Sequence, residues 1–437
     1  MKCMINQRKW SAACIAFIAT AVVVILVSGC SATTKERGPI TTADGVVLAM
    51  SDGGFTSQPR LYPEGPLAAW VIGSVYDTEK DIGIEQRFDR QLAEGDSICL
   101  TIDSAMQRAA EETLSGINGA LVAIDPQTGA IRALAVNPSF DPANPTYSQR
   151  ERGNGDDELG NAAATLHIPG STFKTITLAA ALEDGASLED TVNGPGALLL
   201  DGGRISNAGG QSYGSISLLD AYAQSINTAF AELSLELGPD RVADMARNFG
   251  FDKSLPQDFT CEVSTVGADN ARSEFEKAWF GVGQSFVKED GSWTGPMATV
   301  VQEALVPACI ANGGTLYAPY IVEKIEGCER DAIQTKPLII NERFLSQTTI
   351  DSLREAMAEV VLSGTGQNTQ VIGVKVYGKT GTAAVTNATE NGWFAGWAEA
   401  DGKSLAFAVF IYGSASDVAS ERASAFVRAT LKEERLG

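Results

Sequence analysis

The 437-residue chain predicts an α+β domain whose antiparallel sheet is assembled from segments far apart in sequence, preceded by a small, mostly β region. Three observations carry that prediction. Residues 119–125 (GALVAID) and 130–137 (AIRALAVN) flank a Pro-Gln-Thr-Gly turn, which reads as an antiparallel hairpin. Near the other end, WFAGWAE (393–399) and SLAFAVFIY (404–412) flank Asp401-Gly402, a second hairpin signal. Between the two lie mainly helical patterns, such as Ser217 to Leu237 and Pro296 to Ala311.

The elements follow in order from the N-terminus. Lys2, Arg8 and Lys9 precede an uncharged apolar stretch from Trp10 to Val27, the pattern of a secretory signal or membrane anchor. It ends in Val27-Ser28-Gly29-Cys30, which resembles a bacterial lipobox, so residues 1–30 are a cleaved, lipidated leader or an uncleaved anchor. On either reading the body is extracytoplasmic and tied to the cell membrane. Residues 31–97 hold short strand-like runs broken by Gly and Pro and read as an N-terminal pedestal. Residues 98–437 form the main domain, closed by a helix from Asp417 to Glu434.

Composition removes whole classes of function. Hydrophobic residues make up 44% of the chain, enough for a real core. A net charge of −21 repels phosphate backbones, so nucleic acid is excluded as a partner. The chain has one histidine, His167, which rules out a multi-histidine metal centre; no metal and no cofactor are expected. His167 is read as a loop or capping residue. Of 7 cysteines, Cys3, Cys14 and Cys30 fall in the leader and the others form no C-x-x-C pair. One disulfide, such as Cys309 with Cys328, and buried free thiols both remain open.

Three short motifs bear chemistry. In HIPGSTFKTITLAAALE (167–183), Pro169-Gly170 breaks the chain and the following periodicity is helical, so Ser171 stands at a helix start with Lys174 three residues on. That spacing puts both side chains on one face. The positive helix end and burial both favour a neutral lysine, which can take the serine proton. Ser225-Ile226-Asn227 interrupts the apolar pattern of AYAQSINTAFAEL; polar residues set against helix propensity suggest the lining of a pocket. Gly378-Lys379-Thr380-Gly381-Thr382 ends an alternating strand. Its glycines would let a ligand approach the backbone, and its cation and hydroxyls suit a carboxylate.

The order S-x-x-K, S-x-N, K-T-G is more specific than any member. With it, the chain resembles a class B penicillin-binding protein, a peptidoglycan D,D-transpeptidase. Non-catalytic stretches carry the resemblance across almost everything after the leader: RGPI with DGVVLA, RLYPEG, Gly83-Ile84-Glu85, NPSFDP, the Gly364-Thr365-Gly366 loop and WFAGW. The family's G-x-G-Q-G reads Gly281-Val282-Gly283-Gln284-Ser285 here, and Gly295-Pro296-Met297-Ala298 also departs from the pattern; these positions are assigned to the fold alone.

The resemblance implies a penicillin-recognising fold: an antiparallel sheet flanked by helices, with an inserted all-helical subdomain. Ser171 would acylate on the penultimate D-Ala of a stem peptide, with Lys174 as base and Ser225 as proton relay. Asn227, Lys379, Thr380, Gly381 and Thr382 would bind substrate, and the Ser171 and Thr382 N–H groups would form the oxyanion hole. Partners implied are peptidoglycan stem peptides, β-lactams and a SEDS-type glycosyltransferase of the RodA/FtsW kind. Competing readings are a β-lactam-hydrolysing relative, which needs a deacylating base that the sequence does not display, a β-lactam sensor, and a catalytically idle cell-wall scaffold.

Overall fold

A computed structural model describes residues 36–53, 60–76, 83–145, 161–268, 271, 273–287, 293–327, 331–384 and 389–431. The leader, Cys30 and Cys328 lie outside the described residues. Among the described residues no helix is long and apolar enough to cross a membrane. Residues 37–437 form one compact unit.

The central sheet has five strands: β1 (Gly119–Ile124), β2 (Ile131–Asn137), β3 (Lys375–Ala384), β4 (Glu390–Ala400) and β5 (Lys403–Ile411), in the order β3-β4-β5-β1-β2. Every pairing is antiparallel. Both hairpins form where the sequence placed them. In the second, Asp401 and Gly402 both take positive φ (50° and 78°), the twist that a two-residue hairpin turn needs.

β5 reads as an unbroken apolar run because both of its faces are buried. Ala406, Ala408 and Phe410 join one core with Trp393, Trp397 and helix residues Ala304 and Leu305. Phe407, Val409 and Ile411 join a second core with Phe394 and Phe426. Among the described residues, the helices around the sheet and the site include α1 (Ser104–Thr113), α2 (Lys174–Glu183), α3 (Leu218–Ala223), α4 (Asn227–Leu237), α5 (Glu274–Val282), α6 (Val300–Ala311), α7 (Gln347–Leu362) and α8 (Ser416–Leu431). The second core is closed by α1 and α8, which cover the sheet face opposite α6. The inserted region between β2 and β3 is dominated by helices, but its described residues also carry four short strand pairs: 191–194 with 214–217, 197–200 with 203–206, 286–287 with 293–294 and 316–317 with 339–341.

The pedestal strands Ile40–Thr41, Val47–Ser51 and Arg60–Leu61 lie in a six-stranded sheet completed by Ser97–Leu100, Val322–Glu326 and Ile333–Gln334. Short helices at 69–72, 84–87 and 89–93 accompany the strands, so this region is mixed rather than mostly β. Its centre is a charged knot. Glu85, fully buried, accepts from Arg60 at 2.6 Å and from Arg37 at 2.9 Å, and Arg60 also donates to the Gly38 carbonyl.

Cys309 is a buried free thiol, and Cys99 and Cys261 are also free.

Candidate active site

Ser171 lies in a tight 3-10 turn, Gly170–Phe173, that runs directly into α2 at Lys174. In such a turn residues i and i+3 eclipse, so Ser171 and Lys174 share a face as the spacing predicts. The turn rests against β3. Gly170 has φ +58°, and a Cβ on it would sit 2.6 Å from the Thr382 carbonyl oxygen. A Cβ on Gly381 would sit 2.9 Å from both the Pro169 oxygen and the Thr172 methyl.

This corrects the expected role of the strand glycines. The space at Gly381 admits the nucleophile turn, and the space at Gly378 admits the Phe394 ring, whose Cζ lies 2.2 Å from where a Cβ would be. Both glycines make room for protein rather than for ligand.

Ser225 departs from its expected mid-helix setting. α3 ends at Ala223 and α4 begins at Asn227, and Ser225 sits in the break with φ +56°. A non-glycine residue there is strained, a cost that persists only where its surroundings enforce it. The enforcement is visible: Lys174 Nζ donates to the Ser225 carbonyl at 2.7 Å and Lys379 Nζ to the Ser225 hydroxyl at 2.8 Å. The left-handed turn therefore presents both Ser225 oxygens to the two lysines.

Lys174 Nζ also lies 2.8 Å from Asn227 Oδ1 and 3.2 Å from Ser225 Oγ. Asn227 is oriented in turn by donating Nδ2 to the Ser206 carbonyl at 2.9 Å. Both lysines are fully buried. Burial holds the Lys174 amine well below the usual lysine range, and the neighbouring Lys379 charge pushes it the same way. Burial brings Lys379 down to about 7.

A neutral amine has two N–H donors and one lone pair. At Lys174 the Ser225 carbonyl and Asn227 Oδ1 can only accept, so they take the two N–H groups. The Ser225 hydroxyl lies within reach of both lysine nitrogens and bridges them. The direct Ser171–Lys174 hydrogen bond is not formed in this structure. Among the described residues the Ser171 hydroxyl has no hydrogen-bond partner, and neither does that of Thr382. Catalytic hydrogen bonds in ligand-free sites commonly close only when substrate binds.

On the strand, Thr380 shares a short hydroxyl–hydroxyl contact with Thr365, and Lys379 Nζ donates to the Thr380 carbonyl at 3.0 Å. The loop carrying Thr365 is held by its own N–H on the Ala223 carbonyl, tying β3 to the end of α3.

Three contributors were not anticipated. Gln284 donates Nε2 to the Thr382 carbonyl at 2.9 Å. Glu303 on α6 is buried close to Thr172 of the nucleophile turn; burial pushes its carboxyl up to about 7. Ser206 orients Asn227 through its carbonyl. The lone acid in an otherwise apolar helix, VVQEALVPACIA, was a signal for Glu303; a backbone carbonyl such as that of Ser206 leaves none. His167 is structural: its Nε2 meets the Ala162 carbonyl at 2.8 Å, its ring stacks on Phe410 at 4.1 Å, and burial holds it down to about 4.

A serine on a tight turn, two buried lysines joined through a second serine, and a strand end touching the nucleophile turn define a penicillin-recognising serine acyltransferase. The chain belongs to the penicillin-binding protein transpeptidase family, whose domain model spans residues 119–432. It is 31% identical over 430 residues to the peptidoglycan D,D-transpeptidase PbpA of Mycolicibacterium smegmatis, covering 86% of this chain and 84% of that protein. It is 30% identical to stage V sporulation protein D of Bacillus subtilis, over 74% of this chain and 54% of that protein. Among solved structures, the D,D-transpeptidase domain of a peptidoglycan glycosyltransferase from Eggerthella lenta superposes with TM-score 0.85 at 33% identity, covering 93% of this chain and 100% of that one. The imipenem acyl-enzyme complex of penicillin-binding protein A from M. tuberculosis superposes with TM-score 0.80 at 27% identity, over 91% and 99% of the two chains.

Proposed function

We propose that this class B penicillin-binding protein is a peptidoglycan D,D-transpeptidase that works through an acyl-enzyme on Ser171. The observation that carries the reading is the Lys174–Ser225–Lys379 chain of hydrogen bonds beside a serine whose turn abuts the K-T-G strand.

Ser171 Oγ attacks the carbonyl carbon of the penultimate D-Ala, and its proton passes to Lys174. The new C–O bond forms as the C–N bond to the terminal D-Ala breaks. Ser225 relays the proton from Lys174 to the departing amine. An amine from a neighbouring stem then attacks the ester, forming the cross-link and returning a proton to Ser171. Asn227 orients the donor peptide, and Lys379, Thr380 and Thr382 receive its carboxylate. The N–H groups of Ser171 and Thr382 stabilise the oxyanion, usually the largest electrostatic contribution. A β-lactam occupies the same site and acylates Ser171.

Residues 1–30 anchor the protein to the cell membrane, by a lipid on Cys30 or as an uncleaved segment, with the body extracytoplasmic. The partner that polymerises the glycan is a membrane glycosyltransferase of the RodA/FtsW type. The leader pattern and the family resemblance support both statements.

The test is release of D-Ala from a pentapeptide donor with an amino acceptor present, alongside labelling by fluorescent penicillin. Wild type is expected to give both, and Ser171→Ala neither. Labelling that survives Ser171→Ala overturns the nucleophile.

A further inference from the structure

The oxyanion assignment needs two N–H groups from chain segments about two hundred residues apart to converge on one point. β3 is an edge strand, and its carbonyls alternate in direction. The Tyr377 carbonyl faces β4, 2.1 Å from where a Cβ on Gly396 would be. The carbonyls of Thr380 and Thr382 face the free edge, where they accept from Lys379 and Gln284. In an extended strand a residue's N–H and C=O point to the same side, so the Thr382 N–H also faces that edge, toward the Ser171 turn.

The neighbouring residues Gly283 and Gln284 grip both segments. The Gly170 N–H donates to the Gly283 carbonyl at 2.9 Å, fixing the residue before Ser171. The Gln284 side chain, 8% exposed, fixes Thr382 through its carbonyl. Gly283 has φ +89°, and a Cβ on it would lie 2.0 Å from the Gly170 oxygen, so the approach leaves no slack. The Ser285 hydroxyl donates to the Pro296 carbonyl at 2.6 Å and anchors the clamp from behind.

We infer that Gln284 is a positioning residue for the oxyanion hole: its carboxamide sets the rotation of the Thr382 peptide, and through it the direction of the Thr382 N–H. The inference rests on the transpeptidase reading above. It assigns the 281–285 stretch a part in acylation beyond holding the fold.

The experiment separates the acylation rate constant from the dissociation constant of the first, non-covalent penicillin complex, using the full chain and stopped-flow fluorescence. Gln284→Ala is expected to slow acylation about 10²-fold while the dissociation constant stays within about threefold, since a small misplacement of a catalytic donor costs that much. Gln284→Glu supplies the second readout. At low pH the introduced carboxyl is protonated and can still donate to the Thr382 carbonyl. As it ionises it repels both that carbonyl and the oxyanion, so the variant-to-wild-type rate ratio falls as pH rises. A wild-type rate in Gln284→Ala, a loss shared equally between rate and affinity, or a pH-independent ratio in Gln284→Glu overturns the inference. Each leaves the nucleophile assignment standing, which fails only if Ser171→Ala still labels.

Discussion

Glu303 offers a sharp test of how the nucleophile turn is supported. The Thr172 hydroxyl donates to the Pro169 carbonyl at 2.9 Å, so its single proton is spent. Burial, not Thr172, therefore governs the Glu303 carboxyl and pushes it up to about 7. The folded state keeps the carboxyl proton between the ordinary glutamate value of 4.5 and about 7, whereas the unfolded chain has lost it. The contribution to stability is thus complete below about 4.5 and disappears as pH rises through about 7. At about 1.4 kcal/mol for each tenfold in proton affinity, it amounts to about 3 kcal/mol. With an unfolding entropy of about 2.1 cal/mol/K per residue over roughly 400 residues, that is about 4 °C in Tm.

Glu303→Gln keeps the size and shape of the side chain and removes the titration. Differential scanning fluorimetry of variant and wild type from pH 5 to 8.5 should show the variant gaining about 4 °C relative to wild type across that range. A constant offset, or a wild type that gains on the variant as pH rises, refutes the neutral-carboxyl argument.

Two further substitutions address other links. Ser225→Gly relieves the left-handed strain but removes the hydroxyl between the two lysines. Penicillin acylation should slow about 10²-fold or more while Tm holds or rises; labelling at the wild-type rate would contradict the relay. Glu85→Gln leaves the buried Arg60 guanidinium without its carboxylate and should cost about 3–5 kcal/mol in denaturant unfolding; a loss below about 1 kcal/mol would mean that the knot is solvated, as exposed pairs are.

Local signals in the sequence were read correctly where local physics decides the outcome. Both hairpins follow from turn residues and strand patterning, and the nucleophile turn follows from Pro169-Gly170 ahead of a helical periodicity. The Ser225 break was not legible, because its left-handed backbone is enforced by Lys174 and Lys379, which lie 51 and 154 residues away. The strand glycines were misread for a similar reason: open space beside a glycine is visible in sequence, but what fills it is set by tertiary packing. Gln284 acts through a contact 98 residues away and leaves no local pattern, whereas Glu303 shows as the one acid in an apolar helix. The pedestal sheet takes strands from 322–326 and 333–334, a pairing that no local signal announces.

Activation of Ser171 depends on the protonation state of one amine. Full-length protein carrying 13C-labelled lysine, with Lys174 assigned by comparison with Lys174→Arg, allows that amine to be titrated directly by NMR. The chemical shift of a neutral amine at pH 7.5, with titration completed well below the ordinary lysine value of 10.5, is the predicted result. A Lys174 signal that stays that of an ammonium up to pH 10 would contradict it, and would leave Ser171 without its base.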